Sequence, residues 1–259
     1  MTRTVTAEQI SKGYRLTSMS LVFRIDPTTV VKRHATAAEA IIELETMRFV
    51  HANTSIPVPQ VQNAYYDKKM EEGIIIMDYV EGTTLKEAWG NFTETQKDSI
   101  ISQLRGYMAQ LRHFKSDFIG SINGTACNDQ FFDDDPQGYG PYATEEEFNQ
   151  GIVKAMMKDN DYGFPEWRFV VWLSVMKGHD IVFTHGDFDP RNILVQGEKV
   201  TALLDWELSG YYPSYWEYGK ALLRPEWESQ WSRDKAIDKI VEPFHKELAV
   251  MWTSNDVMY

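Results

Sequence analysis

Three polar residues bracket a short hairpin pattern near position 190, and they constrain the fold of this chain more than any other feature. The stretch reads His185-Gly186-Asp187-Phe188-Asp189-Pro190-Arg191-Asn192, then Ile193-Leu194-Val195, Gln196-Gly197-Glu198-Lys199 and Val200-Thr201-Ala202-Leu203-Leu204-Asp205. The runs 193–195 and 200–204 are apolar and rich in β-branched residues, and the four residues between them are turn formers, which predicts a β-hairpin. Antiparallel pairing brings Asn192 and Asp205, just outside the two arms, to the same end. Asp187 lies five residues before Asn192, on a short loop leading into the hairpin. An amide oxygen and a carboxylate can then face one divalent cation, with a second carboxylate to accept a proton. Phosphoryl transfer needs such a set: an acid that takes the substrate hydroxyl proton, and Asn and Asp ligands for Mg²⁺. Positioning and charge stabilisation dominate that chemistry, so few protein groups suffice. Any one of the three alone would more readily cap a turn or bracket a hairpin.

The same residues carry a resemblance. His-Gly-Asp-x-x-x-x-Asn followed by Leu-Leu-Asp-Trp-Glu resembles the aminoglycoside phosphotransferase and choline kinase superfamily, small-molecule relatives of the protein kinases, with Gly186 where protein kinases carry Arg. Ser55-Ile56-Pro57-Val58-Pro59, Phe118-Ile119-Gly120-Ser121, Gly140-Pro141-Tyr142 with Glu147-Phe148, and Gly210-Tyr211-Tyr212-Pro213 with Tyr215-Trp216-Glu217 resemble fungal proteins with this domain. The likeness runs from about residue 21 to about residue 252. It implies an α+β, bilobal protein-kinase-like fold, with a small antiparallel-sheet N-lobe (residues 1–80) and a larger, mainly helical C-lobe (81–259). ATP and Mg²⁺ are the implied cofactors, Asp187 the implied catalytic base, and Asn192 and Asp205 the implied metal ligands.

Composition narrows the classes. At 43% hydrophobic and 25% charged, the 259 residues have the balance of a globular chain and not of a disordered one. The single cysteine, Cys127, allows no internal disulfide and no Cys-based zinc site, and suits a reducing compartment. Residues 1–13 lack the apolar core of a signal peptide, and the apolar runs 74–77 and 169–176 are too short to cross a bilayer. The expectation is therefore a cytoplasmic protein without a membrane partner, monomeric or weakly dimeric. A net charge of −12 disfavours nucleic acid. It suits either a cationic small-molecule substrate or plain solubility.

In the N-terminal part, residues 21–25 alternate as a strand, Asp26-Pro27-Thr28-Thr29 reads as a turn, and Val30-Val31-Lys32-Arg33 as the return strand. Alternation puts Val30 and Lys32 on one face. A lone Lys at a strand end is ordinarily solvated; the resemblance instead implies that Lys32 binds phosphates while Val30 roofs the adenine. Residues 37–52 predict a helix with Ile41, Leu44, Met47 and Val50 or His51 inward. The resemblance places the partner of Lys32 on this helix, at Glu43, with Glu45 as competitor. Prolines make 56–61 extended. Residues 73–82 read as a buried strand and a polar linker; by resemblance they form a hinge where the backbones of Asp78 and Val80 bond adenine and Met77 lines the pocket. The phosphate-covering Gly-rich hairpin is missing, because residues 11–20 contain only Gly13. Ser18 and Ser20 stand there as alternative contacts.

Further on, 93–114 predicts a helix with a Thr93/Gln96 capping box and Ile100, Leu104, Tyr107, Met108 and Leu111 buried. Residues 117–141 are irregular; Asp129, Asp133, Asp134 and Asp135 there either meet an amine-bearing substrate or, as we expect, form a solvated acidic loop. Helices are predicted over 145–158 and 167–177, a strand over 180–184, and one helix over 234–252. By resemblance His185 braces the catalytic loop and Glu217 supports it. Arg191 either neutralises phosphate or, preferably, ties the loop to an acid, and Glu207 is either an extra metal ligand or a local hydrogen-bonding group. Asp189 argues against a protein substrate. Tyr211, Tyr212, Tyr215, Trp216 and Tyr218 build either a cation cage or, preferably, a core. Three functions stay open: a small-molecule kinase passing the ATP γ-phosphoryl group to a hydroxyl, a nucleotide-binding scaffold, and a biosynthetic enzyme of this fold with other chemistry.

Overall fold

The computed structural model describes residues 3–17, 21–129, 139–157, 164–223 and 226–258. Ser18, Ser20 and Asp133 to Asp135 lie outside the described residues. The chain forms two compact units, Met1–Ala88 with Arg191–Glu207, and Trp89–Pro190 with Leu208–Tyr259.

The first unit begins with α1 (Ala7–Lys12), started by a Thr6/Gln9 capping box. Strands β1 (Tyr14–Arg15), β2 (Val22–Asp26), β3 (Thr29–His34), β4 (Val61–Asp67) and β5 (Glu72–Asp78) follow, with α2 (Ala37–Asn53) between β3 and β4. They make one antiparallel sheet in the order β1-β2-β3-β5-β4. The β2–β3 turn forms where Pro27 predicted it, and the Asp26 carboxylate accepts from the Thr28 N–H at 2.9 Å. Strand alternation splits β3 cleanly. Val31 packs with Val5, Ile10, Ile74 and Ile76. Val30, Lys32 and His34 take the opposite face.

A Thr36/Glu39 capping box starts α2. Its buried side is Ala40, Ile42, Glu43, Thr46, Met47 and Val50, which corrects the expected stripe: Ile41 is 46% exposed. The apolar periodicity misled because the helix turns an acid inward, where a strand lysine meets it. Gly73 permits the helix to approach β5, since a Cβ there would lie 2.4 Å from the Thr36 carbonyl oxygen.

The first unit also holds β6 (Thr83–Thr84), α3 (Leu85–Ala88), β8 (Ile193–Gln196) and β9 (Lys199–Leu203), the strands ordered β6-β8-β9; β7 (Ile181–Thr184) belongs to the second unit. The hairpin therefore groups with the N-terminal sheet, unlike in the expected division after residue 80. Pairing with β6 and a 2.8 Å bond from Leu203 N–H to the Pro57 carbonyl tie it there.

The second unit is mainly helical: α4 (Glu94–Arg112), α5 (Glu145–Met157), α6 (Phe164–Val175), α7 (Trp216–Leu223), α8 (Gln230–Arg233), α9 (Ala236–Ile240) and α10 (His245–Met258), with a two-stranded sheet of β7 (Ile181–Thr184) and β10 (Gly210–Pro213). The Thr93/Gln96 box caps α4 as expected, with Ile100, Leu104, Met108 and Leu111 buried, whereas Tyr107 is only half-buried. Its core gathers Ile119, Phe148, Leu173, Tyr212, Tyr215 and Trp216. Tyr212 and Trp216 stack at 5.5 Å and Tyr215 and Tyr218 are buried with them, so these four are core and not a cation cage; Tyr211 is half-buried, edge-on to Phe118 and Phe183. The single helix expected over 234–252 is two helices, because Pro243 lacks an N–H and disfavours helix in the residue before it. Asp129 is also corrected. It is buried, with its carboxylate 2.9 Å from Lys220 Nζ and 3.3 Å from Trp216 Nε1.

Candidate active site

In the first unit the expected residues converge on one ammonium group. Lys32 is 5% exposed, and its Nζ lies 2.9 Å from Glu43 Oε2, 2.6 Å from Asp205 Oδ1 and 2.9 Å from Glu207 Oε2. Glu43 is the α2 acid that reaches Lys32, while Glu45 is exposed. Burial alone would lower the Lys32 pKa, but the three carboxylates outweigh it and raise it well above the ordinary lysine value. Burial likewise pushes Glu43 up, and Lys32 with His34 overcomes this to hold it down at about 2. Glu207 goes the other way: burial and the neighbouring Asp205 and Glu43 raise it despite Lys32.

The hairpin end forms as its sequence predicts. Asn192 closes a single 3-10 turn over Pro190–Asn192 that also carries the half-buried Arg191. Leu204 N–H donates to the Asn192 carbonyl at 2.8 Å, so Asn192 and Asp205 leave the hairpin at the same end. Asp205 has φ +65°, a left-handed conformation that Asp tolerates better than most residues and that commonly marks functional positions. The next residue, Trp206, is fully buried; its indole N–H donates to Leu203 O at 2.9 Å and its backbone N–H to Glu43 Oε1 at 3.3 Å. Asn192, Asp205 and Glu207 supply oxygen donors only, the set that suits Mg²⁺. The carboxylates also outnumber the ammonium they surround, so this residue set fits a divalent cation.

Val30 and Met77 face one another in the β3–β5 register and are both buried. Asp78 ends β5, with its N–H on Gln60 O at 3.0 Å and its carboxylate accepting from Gln62 Nε2 at 2.6 Å. Val80 follows, half-buried, beyond the last strand residue.

In the second unit β7 delivers the His185 loop. Glu217, buried at the start of α7, accepts from His185 N–H at 2.6 Å and Gly186 N–H at 3.2 Å. His185 Nδ1 accepts from the Asp187 N–H at 3.1 Å, which orients the backbone that carries the Asp187 carboxylate. Gly186 has φ +82°, and a Cβ there would lie 2.4 Å from Leu208 O, so neither Arg nor any other side chain fits without strain. His185 and Glu217 thus both bond the backbone of residues 185–187. Asp189 is buried beside this loop.

Two groups carried no expectation. His34 sits two residues beyond Lys32 on the same strand face, with Nε2 2.8 Å from Glu43 Oε2 and Nδ1 3.8 Å from Glu207 Oε2. Period-two spacing from Lys32 was the available signal for it. Lys220 had none, because its partner Asp129 lies 91 residues away.

The sequence profile of the phosphotransferase enzyme family matches residues 5–242. The chain belongs to that family. No curated protein sequence matches it. Among solved structures, it is similar to the GDP complex of wild-type aminoglycoside 2'-phosphotransferase-IIIa, at 13% identity over 95% of this chain and 81% of that one, with a TM-score of 0.62. A thermostable mutant of aminoglycoside phosphotransferase APH(4)-Ia in ternary complex with ADP and hygromycin B is 14% identical over 91% and 79%, with a TM-score of 0.59. An aminoglycoside-3'-phosphotransferase of type VIII is 17% identical over 89% and 85%, with a TM-score of 0.58. With the antiparallel sheet of the first unit and the helices of the second, these likenesses establish the α+β, protein-kinase-like fold; the family profile bears out the resemblance read from the motif. No helix among the described residues is long and apolar enough to cross a membrane.

Proposed function

We propose that this phosphotransferase is a small-molecule kinase, transferring the γ-phosphoryl group of ATP to a substrate hydroxyl with Mg²⁺. The observation that carries the reading is the buried Lys32–Glu43 pair, with Lys32 also on Asp205 at 2.6 Å. Burying charges rarely stabilises a fold on balance, so three acids around one lysine call for a functional reason. Lys32 binds phosphate oxygens, and Glu43 fixes its ammonium. Val30 and Met77 contact the adenine face, and the backbones of Asp78 and Val80 bond its edge. Mg²⁺, held by Asn192 and Asp205 with Glu207 as a further oxygen donor, would supply neutralisation of phosphate charge. Asp187 orients the acceptor hydroxyl and takes its proton late, as a loose transition state allows. Glu217 and His185 hold the loop that presents Asp187.

Residues 1–80 are, in this reading, the nucleotide-binding part and 81–259 the catalytic and acceptor-binding part. The net charge of −12 favours a cationic acceptor, and a lone cysteine fits the cytoplasm. The missing Gly-rich loop supports a second reading, a nucleotide-binding scaffold without turnover. A metabolite screen coupled to ADP release separates them. The kinase reading expects an acceptor-dependent signal that Asp187→Asn abolishes while leaving the melting temperature unchanged. A variant as active as wild type on a genuine acceptor would reject the assignment.

A further inference from the structure

We infer that His34 is a positioning residue for nucleotide binding, one that fixes the Glu43 carboxylate and through it the Lys32 ammonium. This deepens the proposed function and rests on it. Lys32 and His34 project from the same face of β3, and both reach Glu43, Lys32 Nζ at 3.0 Å from Oε1 and His34 Nε2 at 2.8 Å from Oε2. Trp206 N–H adds a third contact, on Oε1. The carboxylate is thus held by two residues of one strand and by the segment after β9.

That matters because Lys32 is contested. Asp205 and Glu207 draw the same ammonium, at 2.6 and 2.9 Å, away from α2. A Glu43 free to change rotamer would lose that competition and leave Lys32 off the phosphate-binding position. The His34 ring is buried between the two acids, with Nε2 toward Glu43 and Nδ1 toward Glu207. Glu43 Oε2 is shared between His34 Nε2 at 2.8 Å and Lys32 Nζ at 2.9 Å, and both the oxygen and the ring nitrogen are buried. The ring thus meets both acids through its two nitrogens and limits the rotamers open to Glu43. Lys32 is then shared between α2 and the hairpin end rather than captured by the hairpin.

The test is binding of a fluorescent ATP analogue with Mg²⁺, read alongside the melting temperature, for wild type, His34→Ala, His34→Gln and His34→Asn. A glutamine amide reaches the Nε2 position and an asparagine amide the Nδ1 position. Loss of a buried contact to a charge predicts that His34→Ala weakens nucleotide binding about tenfold or more. His34→Gln should recover most of that and His34→Asn little. A purely structural residue would lower the melting temperature without moving affinity, and that result overturns the inference. Equal affinities for the Gln and Asn variants also overturn it, even where the Ala variant does not fold. If wild type binds no nucleotide, the kinase reading fails and takes this inference with it. If wild type and His34→Ala bind alike, only the inference falls.

Discussion

Each unit of this protein buries a lysine against acid, and the two sites are built differently. In the second unit Lys220 meets Asp129 at 2.9 Å with side chains 3% and 0% exposed, while the other Asp129 oxygen takes Trp216 Nε1. Donors and acceptors are satisfied on the spot, next to a core of stacked aromatics. In the first unit Lys32 is divided among Glu43, Asp205 and Glu207, and the last of these is 38% exposed at its side chain. The first arrangement closes on itself and holds a loop in place. The second leaves negative charge in excess on an accessible side, which is what a divalent cation would use. Excess and access, rather than burial of a lysine, separate a binding site from a structural pair.

Breaking the closed pair should give the largest effect on stability. Lys220→Met strands the Asp129 carboxylate, and removing one partner of a buried pair costs about 3–5 kcal/mol. Urea unfolding should show that loss, nucleotide affinity should stay at the wild-type value, and Asp129→Leu added to Lys220→Met should recover much of it. A Lys220→Met protein as stable as wild type would erase the distinction. Glu217→Gln comes next. It spoils one of two charge-assisted contacts to the loop that carries Asp187, so on the kinase reading kcat should fall about tenfold, roughly 1.4 kcal/mol, with nucleotide affinity unchanged. A change confined to nucleotide affinity would move Glu217 to the wrong side of the comparison.

The smallest expected effect is in acid. Glu43 is held down to about 2 from an ordinary 4.5. A depressed carboxylate contributes stability that is complete above about 4.5 and is lost as pH falls through about 2. Glu207, with its pKa raised, acts with opposite sign but above about 4.5, so it leaves the slope below that pH to Glu43. The melting temperature of wild type should therefore drop more steeply between pH 4.5 and 2 than that of Glu43→Gln. Equal slopes would mean that the charged form of Glu43 has no preferred place in the fold.

The parts of the fold set by local rules were readable in advance. Pro27 marks the β2–β3 turn, Thr93 with Gln96 the start of α4, and Gly197-Glu198 the β8–β9 loop. The parts set by distant partners were not. Ile41 looks inward by periodicity, but the α2 register follows Glu43, whose reason for burial is on β3. Asp129 looks like a loop acid until α7 brings Lys220 to it. At the site, the motif carried Asp187, Asn192 and Asp205, and resemblance carried Lys32, Glu43 and Glu217. His34 escaped because a strand histidine has no signature of its own; it acquires one when the helix acid and the hairpin end both reach it.

The central claim is that the acids around Lys32 form a seat for a metal-bound nucleotide. Calorimetric titration of AMP-PNP with Mg²⁺ into wild type and Asp205→Asn tests it most directly. The account expects saturable binding to wild type, weakened at least about tenfold in the variant, as the loss of a charged ligand worth about 1.4 kcal/mol or more requires. Binding of equal strength to both proteins, or none to wild type, would contradict it.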